Sequence, residues 1–297
     1  MKKIICYLLL SMSIFALDVF LPKAPPSLPF VKAKDNLKEI DLNFYNDFNT
    51  EIVPKIIKNQ EGLYVIPVNN AAQLFNKGRE LKLIAVLSEG LISIISDKNF
   101  KNVKDLHGEE IYIGGQGSSP DVISDYVFEK NQIKVKASYR SSQEIAKLIM
   151  TGKINTAVLP EPLASIVLDK NKNLKRSFVL KDQWKLINGQ SGIPQVGIFA
   201  SQKVINSNKA LIEKLSKEYK NSLTWVYSNK KEASKLGISA FQLTLTESAF
   251  EESINHMNLV YIEGLKSKNS IDTYLRALKT VDGEVLDKIP GDDFYKK

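Results

Sequence analysis

The chain has 297 residues, 43% hydrophobic and 25% charged, a balance that excludes a mainly disordered protein and suits one large domain or two smaller lobes. The formal net charge of +8 is spread as lysines interleaved with Glu and Asp, which reads as a solvated surface and gives no nucleic-acid footprint. The single cysteine, Cys6, lies so early that a chain trimmed behind it has no disulfide, no thiolate metal site and no cysteine nucleophile.

Lys2 and Lys3 precede an apolar stretch from Ile4 to about Ala16, with Ser13 and Ala16 as small residues near its end. That is the pattern of a signal peptide over residues 1–16. The stretch is shorter than the roughly 20 residues that span a bilayer, and Cys6 sits too early in it to be a lipidated cysteine. The expected mature protein is soluble, periplasmic and not a lipoprotein.

From residue 17 the sequence alternates short apolar runs with helical patterns, as βα units do. DVFL at 18–21 predicts a strand, followed by a turn with Pro22, Pro25 and Pro26 and a helix from about Ser27. IDLNFY at 40–45 alternates Ile40, Leu42 and Phe44 against polar neighbours, and a helix from about Thr50 follows. LYVIPV at 63–68 leads through Asn69 or Asn70, as N-cap, into a helix closed by Gly78. LKLIAVL ends at Ser88, Glu89 and Gly90, and LISIISD at 91–97 is a further apolar strand.

A second module begins at Val103. It has a strand at 111–113, a glycine turn, a helix opening at Pro120, a helix from Ser141 or Ser142 to Gly152, a strand at 155–160 and a helix from Glu161. A polar stretch holding Trp184 follows, and VGIFAS at 196–201 reads as one more strand. The remainder is helical over about 206–228, 246–257 with the box-like pair Ser248 and Glu251, and from Ser270. The expected fold is α/β: two lobes, each a mostly parallel sheet flanked by helices, joined by two crossover strands. Residues 17–93 and 198–297 form lobe 1, and 94–197 form lobe 2.

Several segments together resemble the solute-binding proteins of nitrate, sulfonate and taurine type, which include thiamine-precursor receptors. They are YVIPVNNAAQLFNKG at 64–78, VKDLHGEEIYIGGQGSSPD at 103–121, GKINTAVLPEPLAS at 152–165, GIPQVGIFAS at 192–201, NLVYI at 258–262 and the terminal IPGDDFYKK. The resemblance implies a type II periplasmic-binding fold whose lobes close over a small-molecule solute and pass it to an ABC permease and its ATPase. It implies a monomer with no cofactor and no chemistry of its own.

In open α/β sheets ligands settle at the carboxyl ends of strands, which here selects four loops. Gly117, Ser118 and Ser119 offer close backbone approach, hydroxyls and a helix N-terminus suited to an oxyanion, or else an ordinary serine cap. Asn69 and Asn70 stand at another helix start, and Lys23 and Ser27 in the first loop. Glu161 suits an amine or ring N–H, or a structural cap, while Tyr45, Tyr139 and more weakly Trp184 suit stacking on a planar ligand, or the core. Two alternatives stay open: an enzyme of the same fold acting on a pyrimidine or menaquinone precursor, and a ligand sensor without a transporter. Glu89 and Glu161 invite a glycosidase-like pairing, but His107 and His256 are too far apart in sequence for a triad or a metal cluster, and no phosphate or dinucleotide motif occurs.

Overall fold

The computed structural model describes residues 16–189, 192–281 and 286–296; the signal peptide expected at 1–16 lies almost wholly outside the described residues. Two sheets divide the chain. The first holds β1 (Leu17–Pro22), β2 (Ile40–Tyr45), β3 (Leu63–Pro67), β4 (Lys82–Glu89), β10 (Pro194–Ala200) and β11 (Leu259–Glu263), in the order β11-β4-β10-β3-β1-β2. The second holds β5 (Ile92–Ser96), β6 (Glu110–Gly114), β7 (Lys136–Arg140), β8 (Thr156–Pro160) and β9 (Lys175–Val179), in the order β7-β6-β8-β5-β9. Helices cover both faces, so inner strands such as β4 are buried from Leu83 through Ser88 and read as continuous apolar runs. β2, at an edge, keeps the alternation, with Asp41 and Asn43 exposed between buried Ile40 and half-buried Leu42 and Phe44.

Both sheets are mixed rather than mostly parallel. β1 runs parallel to β2 and β3, and β6 to β7 and β8, but β10 is antiparallel to β3 and β4, and β5 to β8 and β9. The cause is the double crossing. A strand entering from the other lobe starts at the edge where the resident strands finish, and so must run against them. Pro194, the first residue of β10, pairs with Glu89, the last of β4, and Ile92 of β5 pairs with Pro160 of β8. The lobe limits expected at 93/94 and 197/198 fall inside β5 and β10, each of which lies whole in one sheet. The chain passes over at Gly90–Leu91 and returns between the helix that ends at Asn188 and the start of β10.

Several elements escape the sequence reading, among them the helix at Lys230–Phe241 and the strand β11. β7 and β9 are edge strands with mostly part-exposed residues, and 180–188 is a helix, α7 (Leu180–Asn188), that buries Leu180 and Trp184. Helix starts differ as well. α3 (Val68–Asn76) is capped by extended Pro67, so Asn69 and Asn70 lie within its first turn instead of capping it. α4 (Ser119–Lys130) begins one residue before Pro120, and α11 (Glu247–His256) is capped by Thr246, whose hydroxyl accepts from the Ala249 N–H, rather than by a Ser248–Glu251 box.

The tail belongs to the first sheet through β11, yet it grips the second lobe on two sides. Thr246 donates to Asp169 at the end of α6 (Leu163–Lys170), 3.0 Å away. On the other side, Tyr274 of α12 (Lys268–Val281) meets Trp184 of α7 edge-on with ring centroids 6.2 Å apart. Among the described residues no helix is long and apolar enough to cross a membrane.

Candidate functional site

The pairings align the carboxyl ends of β1 to β4 with the start of β10, and those of β6 to β9 with the start of β5. The loops after these strands therefore line the two edges that the crossings join. The candidate residues from the sequence lie on these loops and the helix starts that follow, or, for Tyr45 and Tyr139, at the ends of the strands that feed them, in two groups, one on each lobe.

On lobe 1, Lys23, Ser27 and Tyr45 cluster at the ends of β1 and β2. Ser27 is fully buried and its hydroxyl donates to the Pro22 carbonyl at 2.6 Å. Tyr45 is packed in the core with its hydroxyl donating to the Val65 carbonyl at 2.8 Å, and burial pushes that phenol up. Half-buried Lys23 reaches Gln242 at 3.4 Å. Asn69, 3% exposed, has no partner for its Oδ1 among the described residues, and Asn70 beside it is half-buried.

On lobe 2, the Ser118 hydroxyl turns back to the Gly114 carbonyl, and Asp121 accepts from the Gly117 N–H at 2.8 Å. Part of the loop's donor capacity is therefore met by the loop's own carboxylate. Tyr139 lies beside Asp121, and burial together with the Asp121 and Asp125 carboxylates pushes its phenol up. Burial, with Asp121 one helical turn away, raises the Asp125 carboxyl to about 6. Ser119 stands next to the Tyr274 hydroxyl of the other lobe, a group that burial lifts to about 12.

Glu161, 4% exposed, is held by its own lobe: Arg176 on β9 reaches it at 2.8 Å, and the Ser165 N–H donates to it at 3.3 Å. Arg176 also donates to Ser93 and Ser165, at 2.7 and 3.1 Å. Burial raises the Glu161 carboxyl despite this counter-ion. Glu89 keeps different company, near Lys181 and Lys185, with its carboxyl also raised by burial. The two acids are thus in separate environments and do not form a matched acid–base pair. His107 and His256 are likewise separate, taking Lys134 N–H and Glu252 as neighbours; among the described residues no group of His, Cys, Asp and Glu is arranged to hold a metal ion.

Six buried polar atoms on residues at this double edge lack a hydrogen-bond partner among the described residues: Asn69 Oδ1, Ser88 Oγ near the end of β4, Asp121 Oδ1, Glu161 Oε1, Trp184 Nε1 and Tyr274 Oη, of which Glu161 Oε1 is ion-paired with Arg176 at 2.8 Å. Each such group costs the desolvation it suffered, about 1–3 kcal/mol, and native folds keep few of them. Trp184, which carried only a weak signal in sequence, is the most central. Its ring is fully buried, 4.9 Å from Tyr126 of lobe 2 and edge-on to Tyr274 of lobe 1. The apolar spacing of Leu180, Trp184 and Ile187 marks the helix that carries it, although Asp, Gln and Lys between them mask that pattern.

No protein-family model and no curated protein matches the chain. Solved structures do. An ABC transporter protein from Parabacteroides distasonis superposes with a TM-score of 0.80 at 20% identity, covering 95% of this chain and 99% of that one. The periplasmic aliphatic sulphonate binding protein of Escherichia coli gives 0.74 at 13% identity over 92% and 89%. A ligand-binding component of an ABC-type import system from Staphylococcus aureus, with zinc bound, gives 0.72 at 12% over 95% and 96%. The fold is the type II periplasmic-binding fold. In a periplasmic-binding fold the two lobes are joined by short crossings and can bend about them, and the strand ends aligned above are the edges that face each other across that joint.

Proposed function

We infer that the chain is an exported solute receptor, the binding component of an ABC importer. Led out by residues 1–16 and working as a soluble periplasmic monomer, it captures a small anionic or heteroaromatic solute by hinge closure and delivers it to a membrane permease and its ATPase. The observation that supports this reading is that Asn69 Oδ1 and Ser88 Oγ on the first lobe and Trp184 Nε1 on the second are buried without a hydrogen-bond partner among the described residues, each on an element that ends or follows a strand at these edges. They are a donor, an acceptor and a hydroxyl that can serve as either, and a solute supplies what the chain does not. Asn70, Gly117, Ser118 and Ser119 extend the same surface, while Glu161, Lys23, Ser27, Tyr45 and Tyr139 shape it from behind or at its rim. Likeness to binding components of import systems supports transport over catalysis.

The test is a thermal-unfolding screen of the purified protein with nitrate, taurine, alkanesulfonates, pyrimidines and flavins. A solute bound by the native state alone, at 100 times its Kd, adds about 2.7 kcal/mol, expected here as a rise in Tm of about 5 °C. The Asn69→Ala variant is expected to keep its own Tm within a few degrees and to lose most of that ligand-induced rise. A shift that survives intact in Asn69→Ala would remove this residue from the site. No shift with any member of the panel would count against the receptor reading itself.

A further inference from the structure

The first crossing is a short peptide with a specific grip on it. Gly90 has φ +67, in the left-handed region that glycine adopts most readily, and a Cβ there would sit 2.6 Å from Cβ of Lys181. The Lys181 stem, from the first turn of α7 on lobe 2, therefore lies flat against the crossing. Its ammonium donates to Asn258 Oδ1 of lobe 1 at 2.8 Å. Asn258, itself at φ 45, fixes the crossing from the other side: its Nδ2 donates to the Gly90 carbonyl at 2.9 Å, and its own carbonyl accepts from the Glu89 N–H at 3.0 Å.

These contacts fall into two kinds. The bonds from Asn258 to Glu89 and Gly90 join lobe 1 to its own exit peptide and survive a rotation of lobe 2. The bond from Lys181 joins lobe 2 to lobe 1 and does not. The second crossing is packed as closely, since a Cβ on Gly192 would lie 2.0 Å from Glu89 Oε1, and the Leu91 N–H donates to Gln195 of β10 at 2.7 Å. With both peptides held, rotation of the lobes strains the charge-assisted bond from Lys181 to Asn258, which bridges them right at the crossing, whereas the Thr246–Asp169 bond lies on the tail away from it.

We propose that Lys181 and Asn258 form a latch that sets the angle between the lobes and must open before they separate. The other charged groups facing Lys181 are Lys185, Glu89 and Asp182; Lys185 shares the charge environment but makes no bond to Asn258, which makes it the control. The latch belongs to the fold and does not depend on which solute is bound.

Spin labels on Ile57→Cys, at the end of α2 (Val53–Ile57), and Lys153→Cys, ahead of β8, in the full chain with Cys6→Ser, report lobe separation by pulsed electron resonance. Both positions are exposed and lie at the ends of their lobes remote from the crossings. Lys181→Met keeps the stem over Gly90 and removes the ammonium; Asn258→Gly keeps a residue suited to positive φ. Each is expected to move the equilibrium on the order of tenfold toward longer distances, with Lys185→Met indistinguishable from the parent. Unchanged distributions in Lys181→Met and Asn258→Gly, or an equal shift in Lys185→Met, would overturn the latch. If one of the two variants does not fold, the other decides.

Discussion

Replacing Arg176 with methionine is expected to cost about 3–5 kcal/mol at pH 7.5, because it leaves the Glu161 carboxylate buried without its counter-ion. Changing both residues, Glu161→Met with Arg176→Met, removes the stranded charge and is expected to cost much less. The deficit of the single variant also depends on pH. Burial already raises the Glu161 carboxyl above 4.5, and losing Arg176 raises it further. A carboxyl raised in the folded state favours folding fully below its unfolded value and loses that contribution as pH climbs through its folded value. The single variant should therefore recover toward the parent as pH falls to about 4.5. Urea unfolding at both pH values checks this; equal losses in the single and double variants would mean that Glu161 is not held as a buried ion.

Trp184 carries the second large effect. Trp184→Ala empties a fully buried site between Tyr126 and Tyr274 and is expected to cost about 3–5 kcal/mol. Trp184→Phe keeps most of the ring while deleting an indole N–H that has no partner among the described residues. The volume it loses is offset by the removal of a stranded donor, so its expected cost is under about 1.5 kcal/mol. Equilibrium unfolding of the two variants separates packing from hydrogen bonding, and a Phe variant as unstable as the Ala variant would show that the N–H is satisfied in solution.

What the sequence reveals and what it conceals divide along physical lines. Inner strands such as β1 and β4 are apolar on both faces, so Val19 to Leu21 and Leu83 to Leu87 announce themselves without any partner in view. β7 and β9 lie at sheet edges, where Lys136, Arg140 and Lys175 face water, and their pairing is decided by neighbours distant in sequence. Strand direction is hidden for the same reason: β5 and β10 are antiparallel because of where the chain comes from. The loops at strand ends were legible because the rule for α/β sheets needs only the strands. Which groups on those loops remain free was not legible. Ser118 turns to Gly114, Tyr45 to Val65 and Glu161 to Arg176, and each of those partners is fixed by the folded backbone. Trp184 shows the converse, a residue in a seemingly polar stretch that tertiary packing brings to the centre of the joint between the lobes.

The most direct test of a solute held between two lobes is amide hydrogen exchange with and without the panel member that raises Tm. The expected result is protection gained together on both sides of the joint, at 67–72 on lobe 1 and 115–121 on lobe 2. Protection confined to one lobe, or appearing only at surfaces away from these strand ends, would contradict it.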